Sequence, residues 1–192
     1  MSSRYTLKAR RELAHTPETM EIDMTVDSFK FLPRIIGKFY QMTEREPSYP
    51  IPWTPLERPV QECKFGLVTS AGLYQLGVDQ PFDLERERTE PTWGDPSFRR
   101  IPAGIRQDQL GVSHLHVNTD DVLKDVNILL PVGRFRELVD EGTIGGLAKW
   151  CYSFMGYQGF PPDTTHWEEE YAPQVAESFH EQGVHCVLLT PT

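Results

Sequence analysis

The stretch "DTTHWEEEYAPQVAESFHEQGVHCVLLTPT", residues 163–192, predicts a helix that runs directly into a strand. Thr164 or Thr165 can cap the start of the helix, and Gly183 is suited to end it. The strand follows at once as "VHCVLLT", residues 184–190, and its run of apolar residues is typical of a buried strand. The buried stripe of the helix is predicted to consist of Ala172, Val175, Ala176 and Phe179.

Three further segments continue this alternation of strands and helices. "CKFGLVTSAG", residues 63–72, is an apolar strand that runs into a loop of small residues, and "GRFRELVDEG", residues 133–142, predicts a helix. "IGGLAKWCYSFMGYQG", residues 144–159, predicts an aromatic-rich strand. The alternation indicates an α/β fold, an open, mostly parallel sheet with flanking helices in Rossmann-like or flavodoxin-like layers. We assign this domain to residues 63–192 and expect it to be incomplete at its C-terminal end.

The stretch "LGVSHLHVNTDD", residues 110–121, predicts another strand and contains two closely spaced histidines. Period-two alternation places four of its side chains on one face: Val112, His114, His116 and Asn118. Two imidazoles that point the same way suit a shared metal ion or a paired acid–base role, and Asp120 can orient one of them. The alternative is a pair of hydrogen-bonded histidines at a strand end, with no metal bound.

The first 62 residues differ from the rest and predict an extended N-terminal arm. "VDSFKFLPRIIGKFYQM", residues 26–42, has a nearly helical apolar stripe that is interrupted at Pro33. "EREPSYPIPWTPLERP", residues 44–59, contains five prolines and predicts a rigid connector. We expect the arm to pack on the core or on a partner subunit.

The composition excludes several classes of protein. The net charge is −9, and no basic stripe is present that could neutralise phosphates, so a nucleic-acid partner is not expected. No apolar run approaches the roughly 20 residues that a membrane helix needs, and the N-terminus lacks the apolar core of a secretory signal. We therefore expect a cytoplasmic protein. The three cysteines include no CxxC pair, which argues against a disulfide framework and against a thiolate zinc site.

The loops that follow the predicted strands are the candidate binding site. In open α/β sheets, ligands bind beyond the carboxyl ends of the strands, where hydroxyl and backbone N–H groups of small residues suit a carboxylate or another anion. No GxSxG, P-loop, GxGxxG or CxxC motif identifies the chemistry. The candidate substrate-binding residues are Thr69, Ser70, Gly72, Met155, Gly156, Thr190 and Thr192.

Several motifs together resemble one known family. They are "GDPSFRRIP", "VSHLHVNTDD", "KDVNILLPVGRFRELVDEGTIGGLAKWCYSFMGYQG" and "APQVAESFHEQGVHCVLLTPT", and their order is that of the family. Over residues 63–192 the chain resembles the glycine/sarcosine/betaine reductase component B and D-proline reductase family of selenoprotein-type proteins. The arm is not part of this resemblance.

The resemblance implies a reductase that cleaves a C–N bond in a small amino-acid-like substrate. In the family, a selenolate or thiolate attacks the carbon that bears the amine, and the adduct then passes to a partner protein. That nucleophile comes directly after the strand that matches "VLLTPT", residues 187–192, and is therefore expected beyond Thr192. Three explanations stay open: a selenocysteine codon read as a stop, a short subunit completed by a partner, or a paralogue that lost the chemistry. Cys151, just before "SFMG", should not be taken as the nucleophile without exposure and a lowered pKa.

The leading hypothesis is therefore the N-terminal portion or a subunit of a reductase, in an oligomer with a partner or a C-terminal half that carries Cys or Sec. His114 and His116 are the predicted proton donors or orienters, supported by Asp120, because the leaving amine needs an acid. No cofactor is predicted, apart from the metal ion that the two histidines could share. A non-catalytic interaction subunit and a His/Asp metal-dependent enzyme are the alternatives.

Overall fold

The computed structural model describes residues 54–115 and 117–192, together with Arg34 and Lys38, which are helical. The remainder of the predicted arm lies outside the described residues. The strands are β1 (Lys64–Thr69), β2 (Leu73–Gln75), β3 (Phe98–Pro102), β4 (Leu110–Val112), β5 (Gly146–Leu147), β6 (Trp150–Phe154) and β7 (Cys186–Thr190). The α-helices are α1 (Leu84–Thr89), α2 (Thr119–Lys124), α3 (Val132–Asp140) and α4 (Ala172–Glu181). Short 3₁₀ turns occur at Val60–Glu62, Gln107–Gln109 and Val126–Ile128.

A mostly parallel sheet is built around β1, as the sequence predicts. β7 pairs with one side of β1, from Phe65 opposite Cys186 to Thr69 opposite Thr190. On the other side β1 pairs with β5 near its start and with β6 near its end, again in parallel. β3 adds to β6 in the antiparallel direction. The predicted open α/β fold is therefore confirmed, with one antiparallel strand.

Helices cover both faces of this sheet, because successive residues of the strands point to opposite sides. Leu67 and Cys151 point into one core cluster, which includes Val132 at the start of α3. Tyr152 and its neighbours point into the other cluster, where Val175 and Phe179 of α4 are buried. Of the predicted stripe on α4, Ala172 and Ala176 are instead exposed. Aromatic side chains take their place, since Trp167 and Tyr171 pack against the same cluster.

The helix that ends in α4 begins with an irregular turn. Residues Trp167–Tyr171 form a π-helical turn, in which the Ala172 N–H donates to the Trp167 carbonyl. Pro173 follows Ala172 and has no N–H to donate. The wider π-helical turn before it removes the clash that proline causes inside a regular helix. The predicted stop at Gly183 is correct, because its φ of +66° is a backbone conformation that glycine adopts readily.

Two predictions about strands are wrong. The predicted strand over 110–121 ends at Val112, and β4 pairs with β2 in a separate antiparallel ribbon. The reason lies in Asn118, whose side chain accepts a hydrogen bond from the Asp120 N–H and so caps α2. β7 was predicted to be buried, but among the described residues β1 alone pairs with it, and Val187 and Leu189 are exposed.

No helix among residues 54–115 and 117–192 is long and apolar enough to cross a membrane.

Gly66 in β1 provides a test of how α4 packs on the sheet. A Cβ at Gly66 would lie 2.6 Å from Cε1 of Phe179. We expect Gly66→Ala to lower the free energy of unfolding by about 1–3 kcal/mol, because the ring has to move. In a Phe179→Leu background the same change should cost less than about 1 kcal/mol. Urea denaturation of the four proteins of this cycle measures the difference.

Gly146→Ala is the matched control, because a Cβ there would meet only Cγ of Lys64, at 3.6 Å. It should leave the free energy of unfolding within about 0.5 kcal/mol of the parent. Equal costs of Gly66→Ala in both backgrounds would contradict the packing described for Phe179.

Candidate functional site

The carboxyl end of β1 is joined to the end of β7 by a set of hydrogen bonds around Ser70. The Ser70 N–H donates to the Thr190 carbonyl at 3.2 Å. The Ser70 hydroxyl accepts from the Thr192 N–H at 2.8 Å and lies 3.0 Å from the Thr192 hydroxyl. The two loops therefore form one surface at this edge of the sheet, where ligands of open α/β proteins bind.

Gly72 brings a third segment to the same edge. Its backbone has a φ of +65°, and its N–H donates to the Phe154 carbonyl at 2.8 Å. Its own carbonyl accepts from the Ser113 N–H at 2.8 Å, and a Cβ at Gly72 would lie 2.0 Å from the Ser113 carbonyl oxygen. Only glycine fits this position, and it places the residue after Ser113, the buried His114, beside the sheet.

Gly156 marks the point where four of the predicted site residues converge. A Cβ at Gly156 would lie 3.0 Å from the Thr192 carbonyl oxygen, 3.2 Å from that of Ser70 and 3.3 Å from Nε2 of His114. The sequence predicts Ser70, Gly156 and Thr192 in loops after three different strands and His114 within a fourth strand. The structure brings two carbonyl acceptors and one imidazole to within contact distance of a single small residue.

The hydroxyl groups of Thr69 and Thr190 are used for holding these loops together. Thr69 is buried; its hydroxyl donates to the Thr190 carbonyl at 3.2 Å and accepts from the Ala71 N–H at 3.3 Å. The Thr190 hydroxyl lies 2.6 Å from the Leu129 carbonyl oxygen and 3.1 Å from that of Val68. Met155 is also buried and forms an isolated bridge with Ala71. The buried side chains of Thr69 and Met155 are positioned to support the site from below.

A cleft of about 450 Å³ opens next to this cluster. Ser70, Gly156, Thr190 and Thr192 contribute to its lining. Its lining is largely apolar and includes Phe154, Trp167 and Leu189, and the rings of Phe154 and Trp167 are in edge-to-face contact at 5.6 Å. Sequence reasoning did not identify Trp167 or Leu189, because nothing in the local pattern separates a cleft wall from a core position.

The remaining predicted residues are placed less centrally. Asp120 lies exposed in the first turn of α2, whereas His114 is buried, so its support of the imidazole stays a prediction. His116 lies outside the described residues, and its pairing with His114 stays a prediction as well. Within residues 54–115 and 117–192 there is no group of three or more His, Cys, Asp or Glu side chains that could hold a metal ion.

All three cysteines of the chain are described, and none has the environment of an activated thiolate. Cys151 is fully buried, and burial raises the pKa of its thiol to about 12, with Arg136 opposing this only in part. Burial and the neighbouring Cys63 also raise the pKa of Cys186. Cys63 is buried and lies within 3.3 Å of the Pro59 carbonyl oxygen. A nucleophilic thiol needs a lowered pKa and access to substrate, whereas the pKa is raised at Cys151 and Cys186 and the side chain of Cys63 is buried.

Comparison with known proteins identifies the family of this chain. Residues 32–192 match the family model described as glycine/sarcosine/betaine reductase selenoprotein B. The chain belongs to this family. It is also 37% identical over 138 residues to D-proline reductase subunit gamma of Acetoanaerobium sticklandii; the match covers 72% of this chain and 52% of that protein. The chain thus spans about half the length of this curated relative. No solved structure matches.

The space around Gly156 yields a direct prediction. Gly156→Ala should lower the free energy of unfolding by about 1–3 kcal/mol, because the added methyl presses on two carbonyl oxygens and an imidazole that the loops hold in place. Gly104→Ala is the matched control, since a Cβ there meets nothing within 4 Å. Thermal and urea unfolding of both variants measure the difference. Equal stabilities would show that the three groups do not converge on Gly156.

The buried thiol of Cys151 predicts a pH dependence of stability. Its pKa is about 12 in the folded protein against an ordinary value of 9.0, so above pH 9 the unfolded chain loses a proton that the folded chain keeps. The stability from this group is complete below about pH 9 and falls by ~1.4 kcal/mol per pH unit as the pH rises toward 12. Cys151→Ala should remove this slope, as measured by urea denaturation between pH 8 and about 11. Parallel pH profiles for both proteins would contradict the assignment.

Proposed function

We propose that this chain is the substrate-binding component of a reductase that cleaves a C–N bond in a small amino-acid-like molecule. The observation that carries the proposal is that the carbonyl oxygens of Ser70 and Thr192 and Nε2 of His114 surround Gly156, and that Ser70, Gly156 and Thr192 line the cleft. Carbonyl oxygens accept hydrogen bonds, so this position suits the N–H groups of a substrate amine. The family membership gives independent support.

The cleft suits a substrate with a compact hydrocarbon portion. Phe154, Trp167 and Leu189 give the cleft an apolar lining. Its volume of about 450 Å³ lies within the range of small-molecule sites. The matched relative is named as a D-proline reductase subunit, so D-proline is the substrate to be tested first. A cyclic amino acid would place its ring against the aromatic wall and its nitrogen toward Gly156.

His114 is proposed as the acid that protonates the leaving nitrogen. It is buried, and its Nε2 lies beside Gly156, 3.3 Å from the point that a Cβ on Gly156 would take. Histidine exchanges protons near neutral pH, which matches this step. His116 and Asp120 keep their proposed supporting roles.

The nucleophile is proposed to come from further polypeptide, because none of the three cysteines in this sequence suits the role. Attack of its thiolate or selenolate on the carbon would form an S–C or Se–C bond while the C–N bond breaks and the nitrogen takes a proton. Release of the reduced product then requires two electrons, for which a protein dithiol is the reductant. We therefore expect this chain to act within a larger complex. Three unpaired cysteines also favour a reducing compartment such as the cytoplasm.

Replacing His114 tests the proposal. In the assembled enzyme, His114→Gln should lower kcat for D-proline by about 10²- to 10⁴-fold and leave KM within a few-fold of the parent. The limb of the pH–rate profile that reports the acid should also disappear. The measurement is steady-state formation of the ring-opened product over a range of pH. The double variant His114→Gln/His116→Gln extends the test to both histidines.

His180→Gln is the matched control, because His180 is exposed on α4. Its kinetic constants should be those of the parent protein. Full activity of the His114 and double variants, with an unchanged pH profile, would overturn the assignment of the acid. Binding of D-proline to neither the parent nor the assembled enzyme would overturn the proposed substrate.

A further inference from the structure

β7 is an edge strand whose open side has no protection against pairing. In the described part of the chain, its one strand neighbour is β1. Its sequence, "CVLLT" over Cys186–Thr190, contains no charged residue and no proline. An exposed strand of this kind presents a row of unpaired backbone groups that readily accept another strand.

The opposite edge of the same sheet shows the contrast. β3 carries Arg99, Arg100 and Pro102, which are features that block strand addition. The two guanidinium groups are held in place over aromatic rings, that of Arg99 at 4.0 Å from the Phe82 centroid and that of Arg100 at 4.5 Å from Trp150. The β3 edge of the sheet therefore carries features that oppose strand addition, whereas the β7 edge does not.

The face of β7 on the α4 side is uncovered as well. Over β1 and β6, Phe179 of α4 packs edge-to-face on Tyr152 at 5.0 Å. Among residues 54–115 and 117–192 there is no equivalent cover over β7, and Val187 and Leu189 are 45% and 65% exposed. Two adjacent large apolar side chains in an uncharged edge strand indicate a surface that is buried in the working protein.

We propose that β7 is the docking surface for a strand–helix unit from the half of the family polypeptide that this chain does not match. The strand of that unit would pair with the open side of β7, and its helix would cover Val187 and Leu189. We choose this occupant because the match covers 52% of the D-proline reductase subunit gamma sequence and leaves the remaining 48% of it unmatched. This docking proposal rests on the proposed function in one respect only, because both require further polypeptide beside this chain.

The backbone geometry specifies which groups the partner strand would bind. The Thr190 carbonyl points toward β1, where it accepts from the Ser70 N–H. Backbone groups of a strand alternate in direction, so those of Val187 and Leu189 point to the open side. A strand added there would lie against the rim of the cleft, because Leu189, Thr190 and Thr192 also line it. Docking would therefore bring further polypeptide to the reacting edge of the sheet.

Amide hydrogen exchange of the full chain provides the test. The probe is the longer unmatched segment of D-proline reductase subunit gamma from Acetoanaerobium sticklandii, produced as a separate polypeptide and shown to be folded by circular dichroism. In the chain alone, the amides of Val187 and Leu189 should exchange quickly and those of Leu188 and Thr190 slowly. Addition of the probe should slow exchange at Val187 and Leu189 about tenfold or more.

Two variants separate the edge from the rest of the surface. Val187→Lys should weaken probe binding at least tenfold, since a charge on this face opposes burial. Val187 does not line the cleft, so this result is independent of substrate binding. Val78→Lys is the matched control, because Val78 is 73% exposed away from β7, and it should bind the probe like the parent. Calorimetric titration measures both.

Three results would overturn the proposal. One is the absence of binding to the folded probe, and another is binding that Val187→Lys and Val78→Lys weaken equally. The third is slow amide exchange at Val187 and Leu189 in the chain alone. In that case, sedimentation distinguishes pairing of β7 with a second copy of the chain from coverage of β7 by another segment of the same chain. None of these measurements involves turnover, so an inactive complex that shows the predicted protection would reject the proposed chemistry and leave the docking surface intact.

Discussion

The left-handed backbone of Gly72 is the constraint on which the arrangement of the site depends. Through its N–H and its carbonyl, Gly72 connects the end of β6 to the loop that follows β4, immediately after β1. The Ser113 carbonyl fills the space where a side chain would stand. Because β4 belongs to a separate ribbon, this connection is what holds His114 against the main sheet. The candidate site is thus assembled from elements that do not belong to one sheet.

Elements with strong local signals were predictable from the sequence. The strand at β1, the helix at α3 with Gly142 just past its end, and the helix–strand unit that ends in β7 all follow from apolar periodicity and glycine stops. The meeting of Ser70, Gly72, Gly156 and Thr192 at one edge was also predictable, because loops after parallel strands converge there; their role in binding stays a prediction. His114 lies on a loop after β4 and not within the predicted strand, and its catalytic role stays a prediction.

Features that depend on distant pairing were not predictable. Alternation over 110–121 is equally compatible with a long strand and with a short strand followed by a capped helix, and the Asn118 cap decides between them. The apolar character of β7 indicated burial, but it could not indicate whether burial comes from this chain or from another polypeptide. Trp167 likewise reaches the cleft through a π-helical turn, which the local sequence pattern does not predict.

The close approach of Phe179 to Gly66 has a consequence for how this family can diverge. The aromatic ring occupies the space above β1 that any side chain at position 66 would need. A larger residue at position 66 alone would clash with the ring, and a smaller residue at position 179 alone would leave a void. We therefore expect the two positions to change together. Related sequences with a larger residue at the equivalent of position 66 should carry a smaller one at the equivalent of 179. The pair would then appear as correlated change across relatives, and it would fix the register of this helix on the central strand from sequence data alone.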